Sequence, residues 1–294
     1  MMFESIREFI IQLAQAGYLP GDFSYQFVVN SLLAGLILGP LLGGFGTLVV
    51  IKKLAFFSEA TGHAALTGVA LGILLNEPID NPYGGLFAYC LIFALLLNYI
   101  KNRSALATDT LIGVFLSVSL ALGASVLLVL ATKINVHILE NVLFGTLLTV
   151  NDHDLYLLLG IAVITVPLLT YYYNELLISS FNQQFARVRK VPVLFLDYIF
   201  ILLITLCTIA SIKIIGAILV GALLVIPAAS ARLVAQSMKQ FFYLSVLIST
   251  GATLLGVYLP IRFDVPVPSG GAIILIAGVF FLILLVIKQF VRIR

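Results

Sequence analysis

Tryptophan is absent from the 294 residues, cysteine occurs twice, histidine three times, and Asp, Glu, Lys and Arg together make up only 10% of the chain. Water-soluble domains carry about 25% charged residues and about 45–50% apolar ones. Here the apolar share is 62% and the mean hydropathy is +1.17, more apolar surface than a water-soluble fold can hide. The 16 Lys and Arg against 13 Asp and Glu leave a net charge of only +3, and the basic residues are scattered in small groups. No basic face for nucleic acid exists. Cys90 and Cys207 lie inside apolar runs, without the paired spacing of a disulfide framework or a thiolate metal site. There is no G-x-x-x-x-G-K phosphate loop, and no serine with an acid and a base at useful spacing, so neither nucleotide hydrolysis nor nucleophilic catalysis belongs to this chain.

What the chain has instead is apolar runs. A bilayer core of about 30 Å needs about 20 apolar residues per helix. Runs of that kind fall at 28 to 50, 54 to 75, 84 to 100, 109 to 131, 155 to 176, 194 to 212, 214 to 231, 241 to 259 and 270 to 288. The expectation is an all-α, polytopic transmembrane helical bundle of about nine spans. Between 194 and 232 two short spans must meet near Ser211 and Lys213 with almost no loop, so eight spans with one broken helix also fit. Residues 28–290 are expected to form a single transmembrane domain. Residues 1–27 carry Glu4, Glu8 and Asp22 and lack the basic start and cleavage site of a leader, which predicts a retained surface or interfacial helix.

Orientation follows from the basic residues, which accumulate in short cytoplasmic loops. Lys52 and Lys53, Lys101 and Arg103, Arg187 with Arg189 and Lys190, Arg232 and Lys239, and Lys288, Arg292 and Arg294 fall at every second junction. The alternate loops hold Glu77, Asp80, Glu140, Asp152, Asp154 and Asp264. An N-terminus outside and a C-terminus in the cytoplasm are expected.

Gly35, Gly39 and Gly43 recur every four residues in the first span, as do Ala60, Ala64, Gly68 and Gly72 in the second. Small-residue ridges let helix backbones approach closely in lipid, where packing drives association. Separated only by the Lys52–Lys53 turn, these two spans are expected to pack on each other.

Glu59 and His63 are the most informative pair. At about 1.5 Å per residue they lie roughly 9 and 15 Å beyond Lys53, within the hydrocarbon zone. An ionisable group there costs at least about 2.5 kcal/mol and normally faces a bundle interior or a wet cavity. Their four-residue spacing stacks carboxylate and imidazole on one helical face, as when two side chains of one helix grip a metal ion. Oxygen plus imidazole suits zinc, manganese or iron(II) and not copper(I). Three readings are open at this point: an ion pathway, a proton relay, or a mutual hydrogen bond that merely locks helices.

At these residues the sequence resembles the ABC importer permeases that move zinc, manganese and iron(II). The family segment G-D-A-L-S-H-A-V-L-P-G-V-A-L-G is similar to Ser58 through Gly72, matching at His63, Ala64, Leu66 and Gly68 to Gly72. TDTLIGV from Thr108, LFGTLLTVNDHDL from Leu143, SIKIIGAILVGALLVIPAASARLV from Ser211 and DVPVPSGGAIIL from Asp264 follow in the family's order over most of the chain. The family usually has Asp where Glu59 stands and often Ser where Gly62 stands. One extra methylene moves the carboxylate by about 1.5 Å, which bears on metal identity.

The resemblance implies that Glu59 and His63 line the metal pathway. It implies that Pro227, Ala228, Ala229, Ser230, Ala231, Arg232 and Leu233, within a segment of about 227–240, couple to an ATPase. It further implies a homodimer with the path near its twofold axis, two cytoplasmic ATPase chains that bind the ATP, an external metal-binding protein, no permanently bound cofactor, and a place in the bacterial inner membrane. His137, Glu140, Asp152, His153 and Asp154 are weaker candidates for receiving metal outside, with solvated loops and helix caps as the plainer role. Asp109 fits a helix start and Asp264 a loop salt bridge. A chelate permease, a partner-independent secondary carrier and an intramembrane metalloenzyme are the rival classes.

Overall fold

The computed structural model describes residues 2–78, 82–104, 106–130, 150–265 and 267–291. Its helices, in chain order, are α1 Met2–Gln15, α2 Gln26–Ile51, α3 Phe57–Leu74, α4 Tyr83–Arg103, α5 Thr108–Leu130, α6 Asp152–Phe181, α7 Gln183–Val188, α8 Val193–Ile215, α9 Ala217–Val234, α10 Met238–Arg262 and α11 Ser269–Val291. A single 3-10 turn, Gly21–Ser24, links α1 to α2. Among the described residues there is no strand. The chain is an all-α polytopic membrane protein.

Eight helices (α2, α4, α5, α6, α8, α9, α10 and α11) are long and apolar enough to cross a membrane. The ninth run read from the sequence is α3. Its 18 residues would reach about 27 Å, but it carries Glu59 and His63 and is not among the eight. The close meeting of two spans falls at Gly216, not near Ser211 and Lys213, which both lie inside α8. One residue separates α8 from α9, and it takes φ +82 and ψ 158, a conformation a residue with Cβ adopts only under strain.

The expected pairing of the two glycine ridges is not what forms. Gly35, Gly39 and Gly43 of α2 face α10, where Ser245, Ser249 and Thr253 make a matching small ridge every four residues. A Cβ on Gly39 would stand 2.6 Å from Thr250 Cα, and one on Gly43 would stand 2.8 Å from Ser249 Cβ. The Ser245 hydroxyl donates to the Gly43 carbonyl across this seam at 2.7 Å. Gly68 and Gly72 of α3 instead meet the start of α4, where a Cβ on Gly68 would be 2.8 Å from the Gly85 carbonyl oxygen. A smooth helix face finds whichever equally smooth face the topology offers, and closeness in sequence does not select it.

The rest of the bundle follows from those seams. α3 lies between α4 and α5, α9 packs against α2, α3, α10 and α11, and α8 closes against α4 and α6. Glu77 accepts the Gly85 amide at 3.1 Å and so serves the first turn of α4. α1 turns Phe3, Arg7 and Ala14 inward and leaves Met2, Ile6 and Phe9 exposed.

Candidate functional site

α3 begins after the turn at Lys52 and Lys53, where Lys53 has φ +57. Its residues against α4, α5 and α9 are mostly small, with Ala60, Thr61, Gly62, Ala64, Ala65 and Gly68 buried. Phe56, Glu59, His63 and Leu66 form the open stripe. α9 lies directly beside it, for a Cβ on Gly62 would stand 2.9 Å from Ala217 Cβ, and one on Gly221 3.5 Å from Ser58 Oγ.

Between the two helices is a cavity of about 290 Å³, with Glu59 and His63 on the α3 side and Ile218, Gly221, Ala222 and Val225 on the α9 side. Gly221 and Ala222 leave the room, and the two ionisable side chains supply the charge and the lone pairs. Among the described residues neither Glu59 nor His63 has a hydrogen-bond or ion-pair partner, and they do not bond each other. Both donor groups are therefore free to hold something in the cavity. A carboxylate oxygen and an imidazole nitrogen are good donors to a borderline divalent cation. Two are too few to hold one alone, and among the described residues no cluster of three His, Cys, Asp or Glu exists. For a metal ion to be held there, water or a second chain would have to complete its coordination.

The description of the ABC 3 transport family matches residues 24–288, nine-tenths of the chain. The chain belongs to that family. Manganese import system permease protein ScaB of Streptococcus gordonii is 30% identical over 266 residues, 90% of this chain and 93% of that protein. High-affinity zinc uptake system membrane protein ZnuB of Haemophilus influenzae is also 30% identical over 266 residues, 90% of this chain and 98% of its own length. Among solved structures, PsaBC from Streptococcus pneumoniae in complex with Fab is similar at 31% identity and a TM-score of 0.77, covering 92% of this chain and 94% of that one.

In this ABC 3 family member, Pro227 through Leu233 form the last two turns of α9. Ala228 and Ala231 are spent inside the chain, packed with Phe241 of α10 and with Val50 and Ile51 of α2. Ser230 is buried and donates to the Ile226 carbonyl at 2.7 Å. Arg232 is exposed, and Ala229 and Leu233 are partly exposed. Those three are what the segment can offer to a partner.

The acids at the start of α6 have partners already. Asp152 is bound by Arg7 at 2.7 Å, and Arg7 also donates to Asn30 at 3.3 Å. Asp154 accepts from Lys213 at 2.7 Å and completes a capping box with Asn151 at the start of α6. Lys213 also lies 4.1 Å from the centre of the Tyr83 ring, which gives that lysine a structural role. His153 is exposed; His137 and Glu140 lie outside the described residues. Asp109 is exposed in the first turn of α5, and Asp264, with φ +50, is exposed in its loop.

One feature escaped the sequence reading. Asp197 on α8 sits between Lys52, at 2.7 Å, and Lys101, at 3.9 Å, all three largely buried. The signal was available: an acid four residues inside an apolar span needs a cation, and the two lysine-bearing helix ends were the nearest source.

Proposed function

We propose that this chain is the membrane-spanning permease subunit of an ATP-driven importer for a divalent transition metal, zinc or manganese first and iron(II) as a further candidate. The cavity between α3 and α9 carries the reading: a carboxylate and an imidazole, their side chains without partners among the described residues, stand on the open face of a helix in an apolar bundle. The names of the relatives, a manganese and a zinc permease, support the same substrate class.

The face is open in a single chain, and two copies meeting there around a twofold axis would supply two carboxylates and two imidazoles. Four protein donors match the coordination zinc takes. The homodimer would sit in a bacterial inner membrane with its N-termini outside and C-termini in the cytoplasm. Two cytoplasmic ATPase chains would engage the exposed Arg232 and the partly exposed Ala229 and Leu233, and an external binding protein would deliver the ion. The metal is cargo; ATP is bound and hydrolysed on the partner.

The test is uptake into proteoliposomes that hold this chain with its ATPase, comparing Zn²⁺, Mn²⁺ and Fe²⁺. ATP-dependent uptake that Glu59→Ala and His63→Ala each abolish is expected. Undiminished uptake in both variants would point to a chelate pathway, and uptake without ATPase or ATP to a secondary carrier.

A further inference from the structure

Because the Glu59 and His63 side chains make no bonds to the described residues, the place each takes in the cavity depends on how α3 itself is rotated and raised in the bundle. Close packing on α4 and α9 sets α3 sterically, and one side chain adds a directional bond to α5. Thr67, a single turn beyond His63 and completely buried, points its hydroxyl away from the cavity toward α5. It donates to the Ser119 carbonyl at 2.8 Å, and the Ser119 hydroxyl lies 3.2 Å away. Tyr89 of α4 donates to that same Ser119 oxygen at 3.3 Å, so three helices are joined through hydroxyls. The His63 carbonyl, at 3.3 Å, is the longer alternative acceptor for Thr67.

The approach is tight by construction. A Cβ on Gly123 of α5 would stand 2.5 Å from Thr67 Oγ1, so only glycine there lets α5 come close enough for the bond. Among the described residues, the other polar tie of this part of α3 to a neighbouring helix is the weak contact of the Cys90 thiol with the Thr61 carbonyl at 3.8 Å. In hydrocarbon an unmade hydroxyl bond has no water to replace it, so the Thr67–Ser119 bond adds a directional restraint on the rotation of α3 to the steric one of packing.

We infer that Thr67 is a positioning residue for the metal pathway: its bond to Ser119 holds α3 in the register that presents His63 and Glu59 to the ion. This rests on the permease reading above. Groups that orient metal ligands from behind typically account for 10–100-fold in metal affinity.

The experiment is Zn²⁺ and Mn²⁺ binding to the purified full-length protein, for Thr67→Val, which keeps the branched shape and loses the hydroxyl, and Thr67→Ser, which keeps the hydroxyl. Thr67→Val is expected to weaken Zn²⁺ binding about tenfold or more and to change the ratio of Zn²⁺ to Mn²⁺ affinity, with Thr67→Ser close to wild type. Wild-type binding in Thr67→Val, or equal losses in both variants, overturns the inference. Should Thr67→Val not fold, Gly123→Ala, which presses a methyl group against the same hydroxyl, is expected to give the same loss, and wild-type binding there overturns it equally. Glu59→Ala and His63→Ala run alongside: if they bind metal as wild type does, the permease site itself is wrong; if they lose it while Thr67→Val does not, only the role of Thr67 falls.

Discussion

Lys52 and Asp197 form an ion pair of 2.7 Å, with side chains only 7% and 5% exposed, at the end of the bundle where α2 finishes and α8 begins. The Lys52 ammonium also lies 5.5 Å from the centre of the Phe200 ring, and Lys101 brings a second positive charge to the same carboxylate. Breaking a buried pair by removing one partner leaves an uncompensated charge and costs about 3–5 kcal/mol. Asp197→Asn is expected to lower the thermal unfolding midpoint of the purified protein strongly. Replacing the whole cluster, Lys52→Met and Lys101→Met with Asp197→Leu, is expected to recover much of that loss.

The seam between α2 and α10 can be trapped covalently. An ideal Cβ at Gly35 lies 3.9 Å from Thr253 Cβ, inside the range of about 3.5–4.5 Å that disulfides span. Gly35→Cys with Thr253→Cys is expected to crosslink under mild oxidation, read as resistance to reductant-free unfolding. Gly39→Cys with Gly68→Cys, the pair implied by reading the two ridges against each other, is expected not to crosslink.

Between α3 and α4 the contact is backbone on backbone, since a Cβ at Gly85 would stand 2.5 Å from Gly72 Cα and from the Gly68 carbonyl oxygen. Neither atom can swing aside as a side-chain end could. Gly85→Ala is expected to destabilise by about 1–3 kcal/mol, as overpacking does, measured by thermal unfolding in detergent.

Asp154 is held by Lys213 and by the first turn of its own helix, which makes it part of the scaffold. Asp154→Asn is expected to cost about 1 kcal/mol or less, as a partly exposed pair does, and to leave the KM for metal uptake within about twofold. A KM change far larger than the stability change would instead make Asp154 a receiver of metal.

Much of this architecture could be read from residue order because lipid imposes simple demands. Apolar runs had to become helices, and Glu59 and His63 had to face something other than hydrocarbon; they face the α3–α9 cavity. Lateral choices were not readable. Gly39 could have met any smooth ridge, and it met Thr250, beside the small ridge of Ser245, Ser249 and Thr253 on α10. Lys52 looked like an ordinary loop charge, and its burial against Asp197 depends on two helices 145 residues apart in sequence coming together. The role of Thr67 was hidden for the same reason, since its acceptor lies on α5.

The most direct test of the ion route is to locate the cargo itself. Crystals of the protein with its ATPase, soaked in Mn²⁺ and measured at the manganese absorption edge, are expected to show an anomalous peak in the α3–α9 cavity, about 2.0–2.3 Å from a Glu59 oxygen and a His63 nitrogen. A peak elsewhere in the membrane region, with that cavity empty in a transport-competent preparation, would contradict it.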